Sequence, residues 1–123
     1  MNEKKIVVIG AGVSGLLCGK RLAEAGHSVL ILDKGRNIGG RLSTRRIDGA
    51  VFHHGASSIP DFYNHKELPE FALEIFKKAE EERIIQRKGN LFEPINSVAD
   101  FVSYCGTNLN IRKSCEAISL NLY

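Results

Sequence analysis

Two hydrophobic periods alternate along this chain. Ile6, Val7, Val8 and Ile9 form an unbroken β-branched run closed by Gly10, the pattern of a strand buried on both faces of a parallel sheet. A glycine turn follows, and Leu16, Leu17, Leu22, Ala23 and Ala25 lie between Ser14 and Gly26, which predicts a helix with glycine at its C-terminal side. Val29 to Leu32 predicts a second strand. Strand, crossover helix and strand within about 30 residues make a right-handed βαβ unit, the opening of a doubly wound α/β domain.

From Lys34 to Ser58 the period fades into a long loop rich in Gly and Arg, with one extended piece around Ala50 to Phe52. Residues 67 to 83 restore the helical period. Leu68, Phe71, Ala72, Ile75, Phe76 and Ala79 fall on one face, opposite the solvated charges Glu70, Glu74, Lys77, Lys78 and Glu81, and Pro69 sits in the first turn, where its missing N–H costs little. Ser97 with Asp100 three residues later is a capping signature ahead of Val98, Phe101, Val102 and Cys105, and Gly106 ends this second short helix. Leu109 to Arg112 predicts another strand. Ile118, Leu120 and Leu122 alternate with Ser119 and Asn121 in the pattern of a half-buried strand.

These elements assemble into a truncated Rossmann-like doubly wound α/β domain. Residues 1–33 form the βαβ unit, 34–58 the Gly/Arg loop, 67–105 a helical insertion and 109–123 returning strands. A last strand without a following partner is expected of the front part of a larger architecture. Its open apolar edge predicts self-association or poor solubility of the isolated chain. There is no internal repeat and no low-complexity segment.

Composition narrows the picture. At 123 residues with 43% hydrophobic and 25% charged positions, the chain can form one globular unit but not two full-sized domains. A net charge of +3 is too small to argue for nucleic acid or a membrane. Cys18, Cys105 and Cys115 are odd in number and lack C-x-x-C spacing, which fits reduced thiols in a cytoplasmic protein. Lys4, Lys5 and the apolar run ending at Cys18 imitate a lipoprotein signal. Gly10, Gly12 and Gly15 interrupt that run, however, and Leu17 is too bulky to precede a processed cysteine. No segment approaches the roughly 18 to 20 apolar residues of a membrane span.

The chemistry is concentrated near the N-terminus. Gly10-Ala11-Gly12-Val13-Ser14-Gly15 lies between the first strand and its helix, the context that gives this spacing meaning. Gly10 permits the tight turn, Gly12 lets backbone approach a pyrophosphate, and Gly15 allows close packing of helix and sheet. The helix N-terminus offers unpaired N–H groups and about half a positive charge to the diphosphate. Asp33 ends the second strand 18 residues after Gly15, placed to accept hydrogen bonds from both ribose hydroxyls of an adenosine and to repel a 2′-phosphate. Together these features predict adenine-dinucleotide binding, by NAD or FAD. A paired glycine and arginine, Gly39-Gly40-Arg41, follow where a soluble dehydrogenase would normally enter its next helix. They form a second cationic, side-chain-poor element suited to the diphosphate and flavin end of FAD.

Lys34-Gly35-Arg36, then Gly39-Gly40-Arg41, then Ser43-Thr44-Arg45-Arg46 resemble the FAD-dependent amine-oxidase and renalase-like flavoproteins, especially small bacterial renalase-like members. The resemblance is strong from Ile6 to about Ala56 and elsewhere extends only to the order of elements. It implies that Gly39, Gly40 and Arg41 touch the FAD pyrophosphate, that Arg36 lies near the adenosine ribose with Lys34 beside it, and that Leu42, Ser43 and Thr44 pass close to the flavin. It also implies that the stretch around His54, Gly55 and Ala56 runs beside the isoalloxazine. His53 stands where the family often has an acid, and Ser57 where it often has an amide. The implied activity is hydride transfer from an amine or a dihydronicotinamide, NAD(P)H, to the flavin N5, with reoxidation by oxygen. The family's substrate-binding and C-terminal segments have no room in 123 residues, so turnover by this chain alone is not expected.

Other readings are weaker. An NAD-binding dehydrogenase is disfavoured by Gly39-Gly40-Arg41, and a non-catalytic interaction module would pair through the open edge near Leu120. Arg36, Arg41, Arg45 and Arg46 form a basic cluster, but the glycine context favours dinucleotide phosphates over RNA. His53 and His54, adjacent on an extended strand, point to opposite faces and are not expected to share a metal. His27 and His65 read as surface residues. No Ser, His and acid set has the context of a nucleophilic triad.

Overall fold

The computed structural model describes residues 2–53, 55–60 and 68–122. In chain order the elements are β1 (Lys5–Ile9), α1 (Val13–Glu24), β2 (Ser28–Leu32), β3 (Thr44–Ile47), β4 (Ala50–His53), β5 (Ile59–Pro60), α2 (Glu70–Glu81), β6 (Ile85–Lys88), β7 (Leu91–Pro94), α3 (Val98–Cys105) and β8 (Asn110–Arg112). They form two compact units, Met1–Gly40 with Gly106–Tyr123, and Arg41–Cys105.

The first unit is the Rossmann-like part, a parallel sheet of order β1-β2-β8. Ile6, Val8 and Val7 of β1 register with Val29, Ile31 and Leu30 of β2, and Ile31 continues to Ile111 of β8. Alternation sends Ile31 towards α1, which buries Leu16, Leu17 and Gly19. Val7 and Ile9 lie on the opposite face of β1 and stay 57% and 72% exposed. The expected double-sided burial of this strand is therefore realised on one face only.

α1 ends in a Schellman motif. Gly26 has φ +87°, its N–H donates to the Ala23 carbonyl at 3.0 Å, and the His27 N–H donates to Leu22 at 3.1 Å. The strand expected near Leu109 appears as β8. The strand expected from Ile118 to Leu122 does not form, and those residues carry no regular structure. An alternating pattern becomes a strand only with a hydrogen-bonded neighbour.

The second unit has its own core. Ala72, Ile75, Phe76 and Ala79 of α2 are buried with Ile85, Phe92, Val98, Phe101, Val102 and Cys105. The Phe76 ring centroid lies 6.1 Å from that of Phe92 and 5.3 Å from that of Phe101. The predicted charged face of α2 is exposed throughout, and the Asp100 N–H donates to the Ser97 Oγ at 3.3 Å, as the capping signature required. Pro69 is the N-cap in extended backbone rather than a member of the first turn.

Two hairpins replace irregular or helical expectations. β3 and β4 pair antiparallel around Asp48 and Gly49, with φ of +48° and +81°, the left-handed pair that a tight hairpin turn selects. β6 and β7 pair around Gly89, with φ +61°, and β5 joins β7. Residues 70–105 are a helix, a hairpin and a helix, so the expected helical insertion also holds two strands.

Candidate functional site

The first unit builds a nucleotide cradle from backbone. β1 ends where Gly10 takes φ +104°, and its N–H donates to the Leu32 carbonyl at 2.7 Å. Gly12 is the N-cap of α1, without a side-chain cap and without an acid in the first turn. The first intrahelical bond runs from the Leu16 N–H to the Gly12 carbonyl, 2.9 Å. The N–H groups of Val13, Ser14 and Gly15 therefore have no partner within the helix, which leaves its positive end uncompensated.

The three glycines answer different demands. A Cβ at Gly15 would overlap the Gly10 carbonyl oxygen, so Gly15 lets the helix seat against its own entry turn. Close packing on the sheet falls instead to Gly19, where a Cβ would sit 2.7 Å from the Ile31 Cδ1. Sequence reasoning missed Gly19, although its spacing of four from Gly15 was the available signal. At Gly12 a Cβ would meet nothing within 4 Å, and φ is an ordinary −71°. No contact within the chain requires glycine at Gly12, but an approaching diphosphate does. A cradle kept open at this point fits a dinucleotide.

Asp33 has a double role. Its Oδ2 accepts from the Ala11 N–H and its Oδ1 from the Gly35 N–H, both at 2.7 Å. The carboxylate therefore braces the β1–α1 turn against the chain leaving β2. Each oxygen keeps a second lone pair for a ribose hydroxyl. The segment after β8 joins this turn, with the Ser114 N–H donating to Gly35 and the Cys115 N–H to Asp33, both at 2.8 Å. Nothing in the sequence pattern announced that tie. Lys34 and Arg36 are exposed beside the turn.

The paired glycine reaches the same cradle. The Gly39 N–H donates to the Ala11 carbonyl at 2.8 Å, and Gly39 and Gly12 form a parallel bridge. Gly40, with φ +57°, would place a Cβ 3.3 Å from the Gly12 Cα. Gly10 to Gly15, Asp33, Gly39 and Gly40 are thus brought together within one unit.

The remaining expected site residues belong to the second unit. The Ala56 N–H donates to the Arg41 carbonyl at 2.9 Å, and a Cβ at Gly55 would overlap that carbonyl. Leu42, Ser43 and Thr44 lead into β3, where Thr44 registers with His53. The Thr44 Oγ1 is buried without a hydrogen-bond partner, a polar atom whose demand nothing in the described chain meets. Arg41, Arg45 and Arg46 are exposed. His54 lies outside the described residues. Among the described residues no group of three His, Cys, Asp or Glu is placed to hold a metal, and no helix is long and apolar enough to cross a membrane.

Over 61 residues, 48% of this chain, it is 46% identical to a 4,4'-diapophytoene desaturase (4,4'-diaponeurosporene-forming) of Staphylococcus aureus strain Newman. The matched segment makes up only 12% of that protein. Among solved structures, an oxidoreductase from Methanosarcina mazei shares 39% identity over 47% of this chain and 14% of its own, with a TM-score of 0.44. A redesigned putrescine oxidase shares 26% identity over 68% of this chain and 16% of its own, with a TM-score of 0.49. Residues 8–75, which carry the whole cradle, match one family over more than half of the chain, and the protein belongs to that family, the NAD(P)-binding Rossmann-like domains.

Proposed function

We propose that the chain is the FAD-binding N-terminal part of a renalase-like flavin oxidoreductase of the cytoplasm. The observation that carries this reading is the open Cβ position of Gly12, bridged by Gly39 and set beside the bare N-terminus of α1. An NAD site needs the first glycine loop alone. The second glycine pair, held on the first by the Gly39 to Ala11 bond, favours a dinucleotide gripped from two sides.

The roles of this chain's residues follow. Val13, Ser14 and Gly15 donate N–H groups to the diphosphate. Asp33 accepts from the ribose hydroxyls while fixing the turn that presents them. The family resemblance assigns Arg41 to the pyrophosphate and Thr44 to the flavin side; within its own unit Arg41 is an exposed cation and the Thr44 Oγ1 is buried without a hydrogen-bond partner. FAD, when bound, supplies the hydride-accepting chemistry, and protein groups bind and orient it. The desaturase likeness supports an oxidoreductase context, while an amine or NAD(P)H as hydride donor rests on the family resemblance.

Reconstitution tests the reading. The purified chain mixed with FAD and dialysed should keep a flavin absorption band and gain thermal stability, whereas NAD should give neither effect. A chain that stays colourless and is stabilised by NAD alone supports the second reading, an NAD-binding dehydrogenase domain. That alternative is favoured by the family description itself. Indifference to both dinucleotides would overturn nucleotide binding.

A further inference from the structure

The β3–β4 hairpin turns on Asp48-Gly49, the one Asp-Gly sequence of a chain that has no Asn-Gly. Both residues are exposed, and their φ of +48° and +81° suit a type I′ loop. Ile47 and Ala50 face each other across it, so the pairing uses their amides and leaves the Gly49 N–H to solvent. We propose that the Asp48–Gly49 peptide is a site of spontaneous isomerisation to an isoaspartyl linkage, and that this conversion unlatches the hairpin.

The chemistry needs nothing but water. The Gly49 nitrogen attacks the Asp48 Cγ, closing a succinimide ring, and the amide proton leaves with the carboxyl hydroxyl as water. Water then adds back at either ring carbonyl. Opening at the main-chain carbonyl breaks its bond to the Gly49 nitrogen and leaves Gly49 joined through the Asp48 side chain, with no change of mass and no oxidant or reductant. Glycine favours the first step because no Cβ shields the attacking nitrogen.

The local fold gives the reaction room. Ring closure needs rotation about the Asp48 Cα–C bond, which a rigidly held turn would refuse. β3 and β4 form a two-stranded sheet of four residues each, and no residue of either strand is fully buried, so the hairpin opens locally at small cost. The other described aspartates lack these conditions. Asp33 is held by the Ala11 and Gly35 N–H groups and precedes Lys34, and Asp100 lies in α3 before Phe101. The product cannot restore the turn, because its main chain is longer by one carbon, about 1.5 Å. A two-residue loop sets the register by its length, so Ile47 no longer meets Ala50 and the pairing fails along the hairpin to Thr44 and His53.

Peptide mapping tests this on the full chain held for weeks at neutral pH and physiological temperature, with electron-transfer fragmentation to tell the two linkages apart at equal mass. The isoaspartyl form should accumulate several-fold faster at Asp48 than at Asp33 or Asp100. Asp48→Asn should convert several-fold faster still, losing ammonia, because an uncharged amide is attacked more readily than a carboxylate. Asp48→Glu should not convert measurably, because its ring would need a further atom. The converted fraction should exchange the amides of β3 and β4 faster while β6 and β7 keep their protection. A synthetic peptide of residues 44–53 gives the unpaired reference. An Asp48 that stays intact in the chain overturns the proposal, and conversion of the peptide alone would show that the fold protects the bond. Equal exchange of β3 and β4 in the two forms overturns the unlatching. Neither Asp48 nor Gly49 belongs to the cradle, so FAD retention decides the cofactor reading separately.

Discussion

At the scale of single residues, two glycines of one motif should part company on substitution. Gly12→Ala meets no atom, so the apo protein should change by less than about 1 kcal/mol, a modest capping loss offset by reduced unfolded-state freedom. FAD affinity should fall at least tenfold, because the methyl occupies the diphosphate's approach. Gly15→Ala forces backbone overlap and should destabilise by more than about 2 kcal/mol. Thermal unfolding and flavin titration on both variants check this, and equal stability losses would refute the distinction. Arg83 offers the reverse case. It holds φ +59° in a Schellman motif like that of Gly26, with its N–H on Glu80 and that of Ile84 on Ala79. Arg83→Gly should therefore stabilise by about 0.5–1 kcal/mol, measured as a shift of the denaturation midpoint.

Tyr104 supplies a pH signature at the same scale. Burial first, and then the charges of Glu82, Cys105 and Glu81, raise its phenol above the ordinary tyrosine value of 10.0. A group raised in the folded state contributes stability fully present below its unfolded value and lost as pH climbs through the folded one. Stability should therefore decline above pH 10.0 more steeply in the wild type than in Tyr104→Phe. Parallel alkaline unfolding curves for the two proteins would remove the effect.

Among the elements, Asp33 couples two turns that the sheet alone would leave independent. Asp33→Asn presents an amide N–H₂ to one of the two backbone donors it now serves, which should cost about 1–3 kcal/mol. It should also speed amide exchange at Ala11 or Gly35, and unchanged exchange at both would argue against the brace. This coupling marks the limit of what sequence pattern conveys. β1, α1 and β2 were legible because an apolar run, a glycine turn and a helical stripe all specify the same unit, and Asp33 was placed by its distance from Gly15. The bonds from Asp33 back to Ala11 and Gly35 depend on three-dimensional closure, which no period encodes. The hairpins were hidden differently. Arg45, Arg46 and His53 are polar and exposed on both faces, so β3 and β4 show no alternation, and only Asp48-Gly49 signalled the turn. Ile118 to Leu122 show the converse, a clear alternation that has no strand without a partner.

For the molecule as a whole, the division at Gly40 and Gly106 places two cores on one chain, each with its own buried aromatic or aliphatic centre. Phe92 is 2% exposed and stacks on Phe76 in the second unit, so Phe92→Ala removes a ring that neighbouring side chains cannot replace. The expected cost is about 3–5 kcal/mol. If the units are separately cooperative, hydrogen exchange should show protection collapsing in α2, β6, β7 and α3 while the amides of α1 and β2 keep theirs. The glycine cradle would then retain FAD in a chain whose second core is molten, because Gly12, Asp33 and Gly39 draw every described hydrogen bond of the cradle from the first unit. Loss of protection in α1 and β2 in step with α2 would mean that the chain unfolds as one body, and the cradle's stability would then be inseparable from Phe92.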